Sequence, residues 1–263
     1  MGVKNFRKFI ESKIDNPIKK VSFDDAKIKS VCIDISIFIY KFVTAIRKTG
    51  KDLLDNKGKI TSHLICLKNQ INMFKSLNID MIYVFDGEAP KEKNKVLKER
   101  NIIKDKAIEI YKETKSIQSY QQSFFITDEI IDDTIEFLKK NKIKYVYDEN
   151  VEADMICATL VKKKVVDCAY STDFDILVFG AKKLIINVNY EKEYIEYILL
   201  KDILKGLNII YDQFVDMIVL SGCDYCERQE NMTLNRAYHL VLSGKYKLNK
   251  DNKKAKMIYT NLR

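Results

Sequence analysis

The feature that most constrains this 263-residue sequence is an alternation of short apolar segments with longer amphipathic ones. The apolar segments with the length of buried strands are residues 29–35, 81–85, 144–147, 165–170 and 184–188. The patterns typical of helices between them are residues 61–77, 128–140 and 152–163. Because strands alternate with helices, we predict an α/β fold with a mostly parallel central sheet and helices on both faces.

Two stretches depart from this alternation. Residues 88–126 are long for a connection, highly charged and poorly amphipathic, with many lysines in the first half and the polar run SIQSYQQS in the second. Long functional loops and lids have this composition, and so do ordinary solvated helices. After Gly222 the pattern changes to short helical pieces, of which residues 234–242 are the clearest.

The overall charge favours an anionic partner. The chain contains 46 Lys and Arg against 37 Asp and Glu, which gives a formal net charge of +9. A basic surplus of this size is typical of proteins that bind polyanions, most commonly nucleic acid. Richness in Lys, Ile and Asn also follows from an AT-rich genome, so the charge alone does not identify the partner.

The N-terminal pattern and the cysteines favour a reducing compartment. The opening MGVKNFRKFIESKI is an amphipathic pattern rather than a secretory signal, and no apolar run is long enough to span a membrane. Cys223 and Cys226 form a C-x-x-C pair, but a zinc site needs two more ligands, and His63 and His239 are the only histidines. We expect reduced thiols and a location in the nucleus or cytoplasm rather than secretion.

Acidic residues lie where the predicted strands end. They are Asp34, Asp86, Glu152, Asp154, Asp173 and Asp175. A single Asp at such a position is more often a turn or cap residue. Four strands, however, deliver acids to the same edge, and ligands of open parallel sheets bind beyond the carboxyl ends of the strands. We therefore expect one cluster of carboxylates.

Such a cluster needs cations. Two carboxylates about 4 Å apart repel each other by roughly 4 kcal/mol at an effective dielectric near 20. Hard divalent ions such as Mg²⁺ or Mn²⁺ prefer oxygen ligands and also bind phosphate oxygens. Two such ions about 3.5–4 Å apart are suited to phosphodiester hydrolysis. A basic chain with an acidic pocket thus favours a metal-dependent enzyme that acts on nucleic acid.

The same residues lie in motifs that resemble those of the flap endonuclease and 5′ exonuclease superfamily, which includes the xeroderma group G nuclease-like family. The matching segments are MGVKNF, CIDISIFIYKFVTAIR, YVFDGEAPKEK, NVEADMICATLV, STDFDILVFG and LSGCDYC. Each segment is weak evidence alone, but together they are specific, and they cover nearly the whole chain. The resemblance implies a PIN-like 5′ nuclease core, a helical arch and a short C-terminal helix–two-turn–helix-like segment.

The resemblance also assigns roles to individual residues. It implies that two Mg²⁺ ions, for which Mn²⁺ can substitute, are bound by Asp34, Asp86, Glu152, Asp154, Asp173, Asp175 and Asp224. Asp154 stands where flap endonucleases usually have Glu, whereas the related exonuclease branch has Asp. Lys93 and Arg100 match the residues that position the scissile phosphate. They are seven positions apart and so share one face if the segment is a helix.

Contacts to DNA are implied for Gly2, Tyr40, Arg47 and Arg236. Tyr40 matches an aromatic residue that stacks on a base, and the alternative for it is core packing. For each Lys or Arg taken singly, a solvated surface position is the alternative.

The resemblance divides the chain into four parts. These are the N-terminal part of the nuclease domain (1–87), the arch (88–126), the internal part of the nuclease domain (127–222) and the reduced helix–two-turn–helix-like segment (223–263). In the last part, Asn231 and Thr233 stand where the family has glycines that bind duplex phosphates. Asn tolerates a left-handed backbone and Thr does so poorly, so we expect duplex binding to be weaker or built differently.

We therefore expect a Mg²⁺-dependent, structure-specific 5′ nuclease that cuts DNA at 5′ flaps or 5′ ends in replication or repair. The segment IYKFVTAIR favours the flap-endonuclease branch, while EAD and LSGCDY favour the repair-exonuclease branch. A non-catalytic DNA-binding relative is one alternative, although none of the seven carboxylates is missing. A 5′ exoribonuclease is another, because phosphodiester chemistry does not distinguish the sugar.

The C-terminal end carries a separate expectation. No sliding-clamp-binding peptide is visible before the sequence stops at Arg263. We expect a monomer that is a minimal or truncated member of the family, of the kind that a large DNA virus or a reduced genome encodes.

Overall fold

The fold is built on one seven-stranded sheet. The computed structural model describes residue 3 and residues 5–261. Its strands are β1 Lys19–Ser22, β2 Ser30–Asp34, β3 Asp80–Phe85, β4 Lys144–Tyr147, β5 Cys168–Tyr170, β6 Lys183–Asn189 and β7 Tyr194–Leu199. The sheet order is β1-β7-β6-β5-β2-β3-β4. Strands β2 to β6 run parallel, while β7 and β1 are added antiparallel at one edge. The predicted α/β class and mostly parallel sheet are confirmed, but β1 and β7 were not foreseen.

Helices cover both faces of this sheet. They are α1 Phe6–Lys13, α2 Ile35–Ile46, α3 Ser62–Ser76, α4 Asn94–Thr114, α5 Ile117–Gln122, α6 Asp128–Lys140, α7 Ala153–Lys162, α8 Asp175–Val178, α9 Leu200–Leu207, α10 Tyr211–Ser221, α11 Leu234–Ser243 and α12 Lys250–Thr260. Helices α2, α3 and α6 pack on one face, and α1 and α7 to α12 pack on the other. None of the described helices is long and apolar enough to cross a membrane.

The central strand β2 shows why the sheet is buried on both faces. Val31, Cys32 and Ile33 are fully buried. Because successive side chains of a strand point to opposite faces, Val31 and Ile33 pack into one apolar cluster and Cys32 packs into the other. A continuous apolar run is typical of such a strand. The carboxyl end of β2 therefore lies deep in the molecule, and so does Asp34 at that end.

Helix α6 illustrates how local sequence sets helix boundaries. Thr127 precedes the helix, and its side chain accepts a hydrogen bond from the Ile130 N–H at 3.3 Å. Acidic residues occupy the first turn and lysines the last, which suits the helix dipole. The helix spans the predicted residues 128–140.

The charged segment 88–126 is helical. A 3-10 turn at Lys91–Lys93 leads into α4, which α5 follows. Of the 21 described residues of α4, Ala107 alone is buried. This helix therefore has almost no core face, which explains its weak amphipathic pattern. The four-part division of the chain remains a prediction.

The segment after α10 shows the backbone at the two positions where the family has glycines. Asn231 has φ 56°, in the left-handed region. Thr233 does not, because it is extended with φ −75° and ψ 160°. Its hydroxyl accepts a hydrogen bond from the Arg236 N–H at 3.2 Å and caps α11. The threonine is thus used as a helix cap, and no strained backbone arises there.

Candidate functional site

The structure brings the seven predicted carboxylates into one group beyond the carboxyl ends of β2, β3 and β5. Asp34, Glu152, Asp154, Asp173, Asp175 and Asp224 are buried, and Asp86 is exposed. Their charges act on one another: Asp86 and Asp173 on Asp34, Asp173 and Asp34 on Asp154, and Asp173 and Asp224 on Asp175. We refer to these seven residues as the acidic cluster.

Two members of the acidic cluster also cap helices. The Asp34 carboxylate accepts a hydrogen bond from the Ile37 N–H at 3.2 Å, at the start of α2. The Asp86 Oδ1 accepts one from the Ala153 N–H at 3.0 Å, at the start of α7. Since helix N-termini favour negative charge, each strand-to-helix junction selects a carboxylate on structural grounds as well.

Gly87 allows the loop before α7 to approach β3 closely. A Cβ at this position would lie 2.1 Å from the Asp148 carbonyl oxygen. Without it, the Gly87 N–H donates to the Val151 carbonyl at 3.0 Å. This close contact holds the start of α7, with Glu152, beside Asp86.

Asp173 and Asp175 form a compact turn after β5. The Asp173 N–H donates to the Ser171 Oγ at 3.0 Å, and the Asp175 N–H donates to the Asp173 Oδ1 at 3.0 Å. The Ser171 hydroxyl also donates to Asp34 at 3.4 Å. Backbone and serine hydrogen bonds therefore orient these carboxylates within the acidic cluster.

Two cationic side chains enter the acidic cluster. Lys93 Nζ forms an ion pair with Glu152 and lies 3.5 Å from the Asp224 Oδ2. Arg100 Nη2 donates to the same Asp224 oxygen at 2.8 Å. Lys93 lies in the 3-10 turn immediately before α4, and Arg100 lies within α4. Both side chains reach the same Asp224 oxygen, as expected for residues on one face.

The acidic cluster is electrostatically unfavourable as it stands. Burial raises the pKa of Asp34 and Asp154 well above the usual range, and neighbouring carboxylates raise each pKa further. Burial likewise raises the pKa of Asp173 and Asp175. Burial alone would lower the pKa of Lys93, but Glu152, Asp154 and Asp224 outweigh it and raise this pKa. One lysine and one arginine do not balance seven acids.

The donor atoms fit a hard divalent cation. The Oδ1 atoms of Asp154 and Asp175 are buried without a hydrogen-bond partner, and carboxylate oxygens are the ligands that Mg²⁺ prefers. In the part of the chain that the structure describes, no three acidic, histidine or cysteine side chains are arranged to hold an ion as they stand. Lys93 lies between Glu152 and Asp224 and provides positive charge there.

The predicted DNA contacts have different surroundings. Tyr40 is half-buried, and its ring packs 5.9 Å from that of Phe124, as in the core-packing alternative. Arg47 binds Asp52 at 3.0 Å and the Tyr120 carbonyl at 3.2 Å, so its guanidinium is engaged within the protein. Arg236 is exposed on α11. Gly2 lies outside the described residues.

A groove of about 1880 Å³ begins at Asp224 and Arg100. It extends along α1 to the N-termini of α11 and α12. Its basic lining residues are Arg7, Lys8, Lys13, Lys95, Arg100, Arg228 and Lys254. The contribution of α1 to this groove was not foreseen from the sequence.

Sequence reasoning also missed two tyrosines at the acidic cluster. The Tyr225 hydroxyl donates to the Glu152 Oε2 at 2.7 Å, and the Tyr259 hydroxyl donates to the Asp175 Oδ2 at 3.1 Å. Tyr225 adjoins Asp224 within LSGCDYC, which is a usable signal. Tyr259 lies in α12, far along the chain from any acid of the cluster, so no sequence pattern points to it.

The cysteines contribute no cross-link. All six lie in the described residues and are free thiols. The sulfur atoms of Cys223 and Cys226, which flank Asp224 and Tyr225, are 3.5 Å apart.

Comparison with known proteins places this site in a family. The XPG N-terminal domain model matches residues 1–107, and the XPG I-region model matches residues 142–224. The flap endonuclease 1 of Theileria parva is 31% identical over 251 residues, which is 92% of this chain and 51% of that protein. The chain belongs to the flap endonuclease and XPG superfamily.

Other members of the superfamily agree with this placement. The flap endonuclease 1 of Plasmodium falciparum is 30% identical over 92% of this chain and 40% of its own length, and that of Aspergillus clavatus is 31% identical over 92% and 63%. The chain thus spans about half the length of the curated relatives it matches.

Solved structures of the superfamily share the fold. Flap endonuclease-1 from Methanococcus jannaschii has a TM-score of 0.73 and 29% identity, over 95% of this chain and 83% of that one. The catalytic core of Rad2 in complex with a DNA substrate has a TM-score of 0.69 and 22% identity, over 98% and 79%. At 22% identity, the similarity to Rad2 shows a shared fold only.

Proposed function

We propose that this protein is a Mg²⁺-dependent, structure-specific 5′ nuclease that hydrolyses DNA phosphodiesters at 5′ flaps or 5′ ends in replication or repair. The observation that carries the proposal is a mostly buried acidic cluster with too few cations, located at the mouth of a groove whose lining has seven basic and five acidic residues. Membership of the superfamily and relatives named flap endonuclease 1 support it.

Divalent metal accounts for the acidic cluster. Two Mg²⁺ ions, or Mn²⁺ in their place, would supply an activated water and charge stabilisation at the leaving oxygen. We assign their binding to the seven carboxylates, with Asp154 and Asp175 offering buried oxygens that have no other partner. Hydrogen bonds from backbone N–H groups orient the carboxylates of Asp34, Asp86 and Asp173 within the acidic cluster.

Lys93 and Arg100 would position the scissile phosphate. Both already contact Asp224, so their charges lie within reach of an anion at the mouth of the acidic cluster. A phosphodiester that enters there would replace carboxylate oxygens as the partner of Lys93 and Arg100. Fixed positive charge directed at a phosphate is worth most where charge develops in the transition state.

The groove and the charged helices suit a nucleic-acid substrate. The basic residues that line the groove would provide sequence-independent contacts to phosphates. Helix α4, with its nearly absent core face, begins next to Lys93 and carries Arg100. We assign it to an arch over a single-stranded 5′ end. We also propose that the protein is a monomer and is located in the nucleus or cytoplasm, where its free thiols would stay reduced.

The test is a comparison of substrates. Equimolar 5′-flap, nicked, blunt and single-stranded DNA and a matched RNA are incubated with Mg²⁺, with EDTA as control. We expect cleavage of DNA that carries a 5′ flap or 5′ end and none with EDTA. Binding without cleavage of any substrate would support a non-catalytic relative instead. Faster cleavage of RNA than of DNA would move the assignment to a 5′ exoribonuclease.

A further inference from the structure

The C-terminal helix α12 lies outside both regions that match the family models. Its first turn is fixed by Asn252, whose side-chain N–H donates to the Val219 carbonyl of α10 at 2.8 Å. Asn252 also forms a reciprocal cap with Asn249. The helix is therefore held against α10 at its start, and its last turn lies beside the acidic cluster.

Tyr259 in this last turn is fully buried. Its ring packs against Phe179, with centroids 4.7 Å apart, and against Tyr225, with centroids 5.2 Å apart. An aromatic ring alone satisfies this apolar packing, yet the residue carries a hydroxyl. A buried hydroxyl is costly unless it is hydrogen-bonded, and this one donates to the Asp175 Oδ2 at 3.1 Å.

The bond leaves Asp175 with one oxygen occupied and one available. Its Oδ1 is buried and has no hydrogen-bond partner. A carboxylate held at one oxygen cannot rotate freely, so the other oxygen is presented in a defined orientation. Tyr225 holds Glu152 in the same way, through a hydrogen bond of 2.7 Å to Oε2. The two tyrosines are in ring contact and support two acids from different parts of the chain.

We propose that Tyr259 is a positioning residue, which orients Asp175 for divalent metal through its hydroxyl and so makes α12 a part of the metal centre. The inference rests on the proposed metal site. Partners that orient metal ligands typically change metal affinity by 10–100-fold when they are lost. The hydroxyl, rather than the ring, carries the effect, because the ring only packs.

The test is Mn²⁺ binding to the full chain without substrate, with free Mn²⁺ followed by electron paramagnetic resonance. We expect Tyr259→Phe to weaken Mn²⁺ binding by about tenfold or more. Tyr246→Phe is the matched control, because it removes a hydroxyl that donates at 2.6 Å to Asp216, a buried acid outside the acidic cluster. It should leave Mn²⁺ affinity within about twofold of wild type, since it affects packing near α12 and no predicted ligand.

A double-mutant cycle shows whether the effect passes through Asp175. In an Asp175→Asn background, Tyr259→Phe should cause no further loss of Mn²⁺ affinity, because the carboxylate it orients is gone. If Tyr259→Phe does not fold, Tyr259→Met, which also lacks the hydroxyl and fills the space with a flexible apolar chain, takes its place.

The outcomes separate the two proposals. Wild-type affinity in Tyr259→Phe, or an undiminished effect in the Asp175→Asn background, overturns the role of Tyr259 and leaves the metal site intact. Absence of Mn²⁺ binding by the wild-type protein overturns both. Equal losses in Tyr259→Phe and Tyr246→Phe assign the effect to general destabilisation and overturn the inference.

Discussion

Helix α10 contains one buried acid and leads to a group of others, and the two sites differ in how much positive charge lies nearby. Within the helix, Asp216 lies 2.6 Å from the Lys256 Nζ, and its Oδ2 accepts a hydrogen bond from the Tyr246 hydroxyl at 2.6 Å. Its Oδ1 has no directional hydrogen bond, so the contact with Lys256 is an ion pair. Lys256 also pairs with Asp212 at 2.8 Å, but that carboxylate is exposed to solvent. The one buried carboxylate of this group is therefore matched by one lysine.

Beyond the end of the same helix, Asp224 joins the acidic cluster. Seven carboxyl groups share Lys93 and Arg100, and several of them have raised pKa values. The Asp216 group is balanced and so has a structural role that needs nothing else. The acidic cluster is unbalanced, which supports the proposal that it binds cations from outside the chain. Burial of an acid is common to both, so the charge balance is what distinguishes a functional acid from a structural one.

The largest expected effect tests the unbalanced side. Asp173→Ala should abolish cleavage of a 5′-flap DNA in Mg²⁺, by roughly a thousandfold or more, because metal contributes several kcal/mol to the transition state. Binding of the same DNA should stay measurable, as a gel-shift titration would show. Asp216→Asn, compared per folded molecule, should cut normally. Cleavage by Asp173→Ala at the wild-type rate would remove Asp173 from the site.

Lys93→Ala should slow cutting by roughly a hundredfold while DNA binding weakens far less, since positioning the phosphate matters most in the transition state. Single-turnover rates and binding constants on one flap substrate separate the two effects. The matched control is Lys140→Ala, because Lys140 is exposed, paired with Glu136 on α6 and not part of the groove lining. Equal losses of cutting and binding in Lys93→Ala would assign Lys93 to general electrostatics.

Lys256→Met tests the balanced side. It leaves Asp216 buried without its cation, so the free energy of unfolding should fall by about 2 kcal/mol, less than for a fully buried pair because Lys256 is partly exposed. Urea unfolding in EDTA measures it. Lys253→Met, on an exposed position of the same helix, should change little. An unchanged unfolding curve for Lys256→Met would show that Asp216 does not need this lysine.

Asp154→Asn should change the free energy of unfolding in EDTA in the opposite direction to Lys256→Met. Burial and the charges of Asp173 and Asp34 raise the pKa of Asp154, so at neutral pH the folded state carries a cost that the unfolded chain does not. Removal of the charge should raise the free energy of unfolding in EDTA by about 1 kcal/mol. Saturating Mg²⁺ should stabilise the wild type more than the variant. A less stable variant in EDTA would contradict the idea of an acid surplus.

The smallest effect concerns His63, a buried group close to Asp133 that is not part of either acid group. Its Nε2 lies 3.8 Å from the Asp133 carboxylate, and burial, which outweighs that acid, lowers its pKa below the ordinary value of about 6.5. Because the pKa of His63 is lower in the folded state than in the unfolded chain, its full contribution to the free energy of unfolding is present above pH 6.5. That contribution is lost as the pH falls, because the unfolded chain then takes up the proton more readily. Wild type minus His63→Gln, in unfolding free energies between pH 7.5 and 5.5, should show this small loss. A flat difference would mean that His63 is not held neutral.

Sequence reasoning succeeded where local pattern and packing demand the same residues. The apolar run of β2 is buried on both faces, and the ends of α6 carry their own capping residues and charges. The strand-end positions of Asp34 and Asp86 follow from the parallel sheet, because the carboxyl ends of its strands share an edge. The short charged strand β1 and its partner β7 were missed, since Lys19, Lys20 and Glu196 obscure their apolar pattern.

Contacts between distant segments escaped sequence reasoning. Lys93 was predicted to position the phosphate, with a solvated surface position as the alternative, but its burial against Glu152 was not foreseen. The structure shows that nearby Asp52 and the distant Tyr120 carbonyl engage the guanidinium of Arg47, whose contact to DNA stays a prediction. The Lys93–Glu152 and Arg47–Tyr120 contacts are not visible in sequence spacing, because such distant segments meet only when the chain has folded.

By itself, the sequence determined the α/β class, the mostly parallel sheet and the set of acids at one edge, since periodicity and strand polarity act over a few residues. The tertiary structure alone decided which cations reach those acids, which oxygens stay without a partner and that Tyr259 of α12 contacts Asp175. The physical reason is that charge balance and burial are sums over all neighbours in space, whatever their distance along the chain.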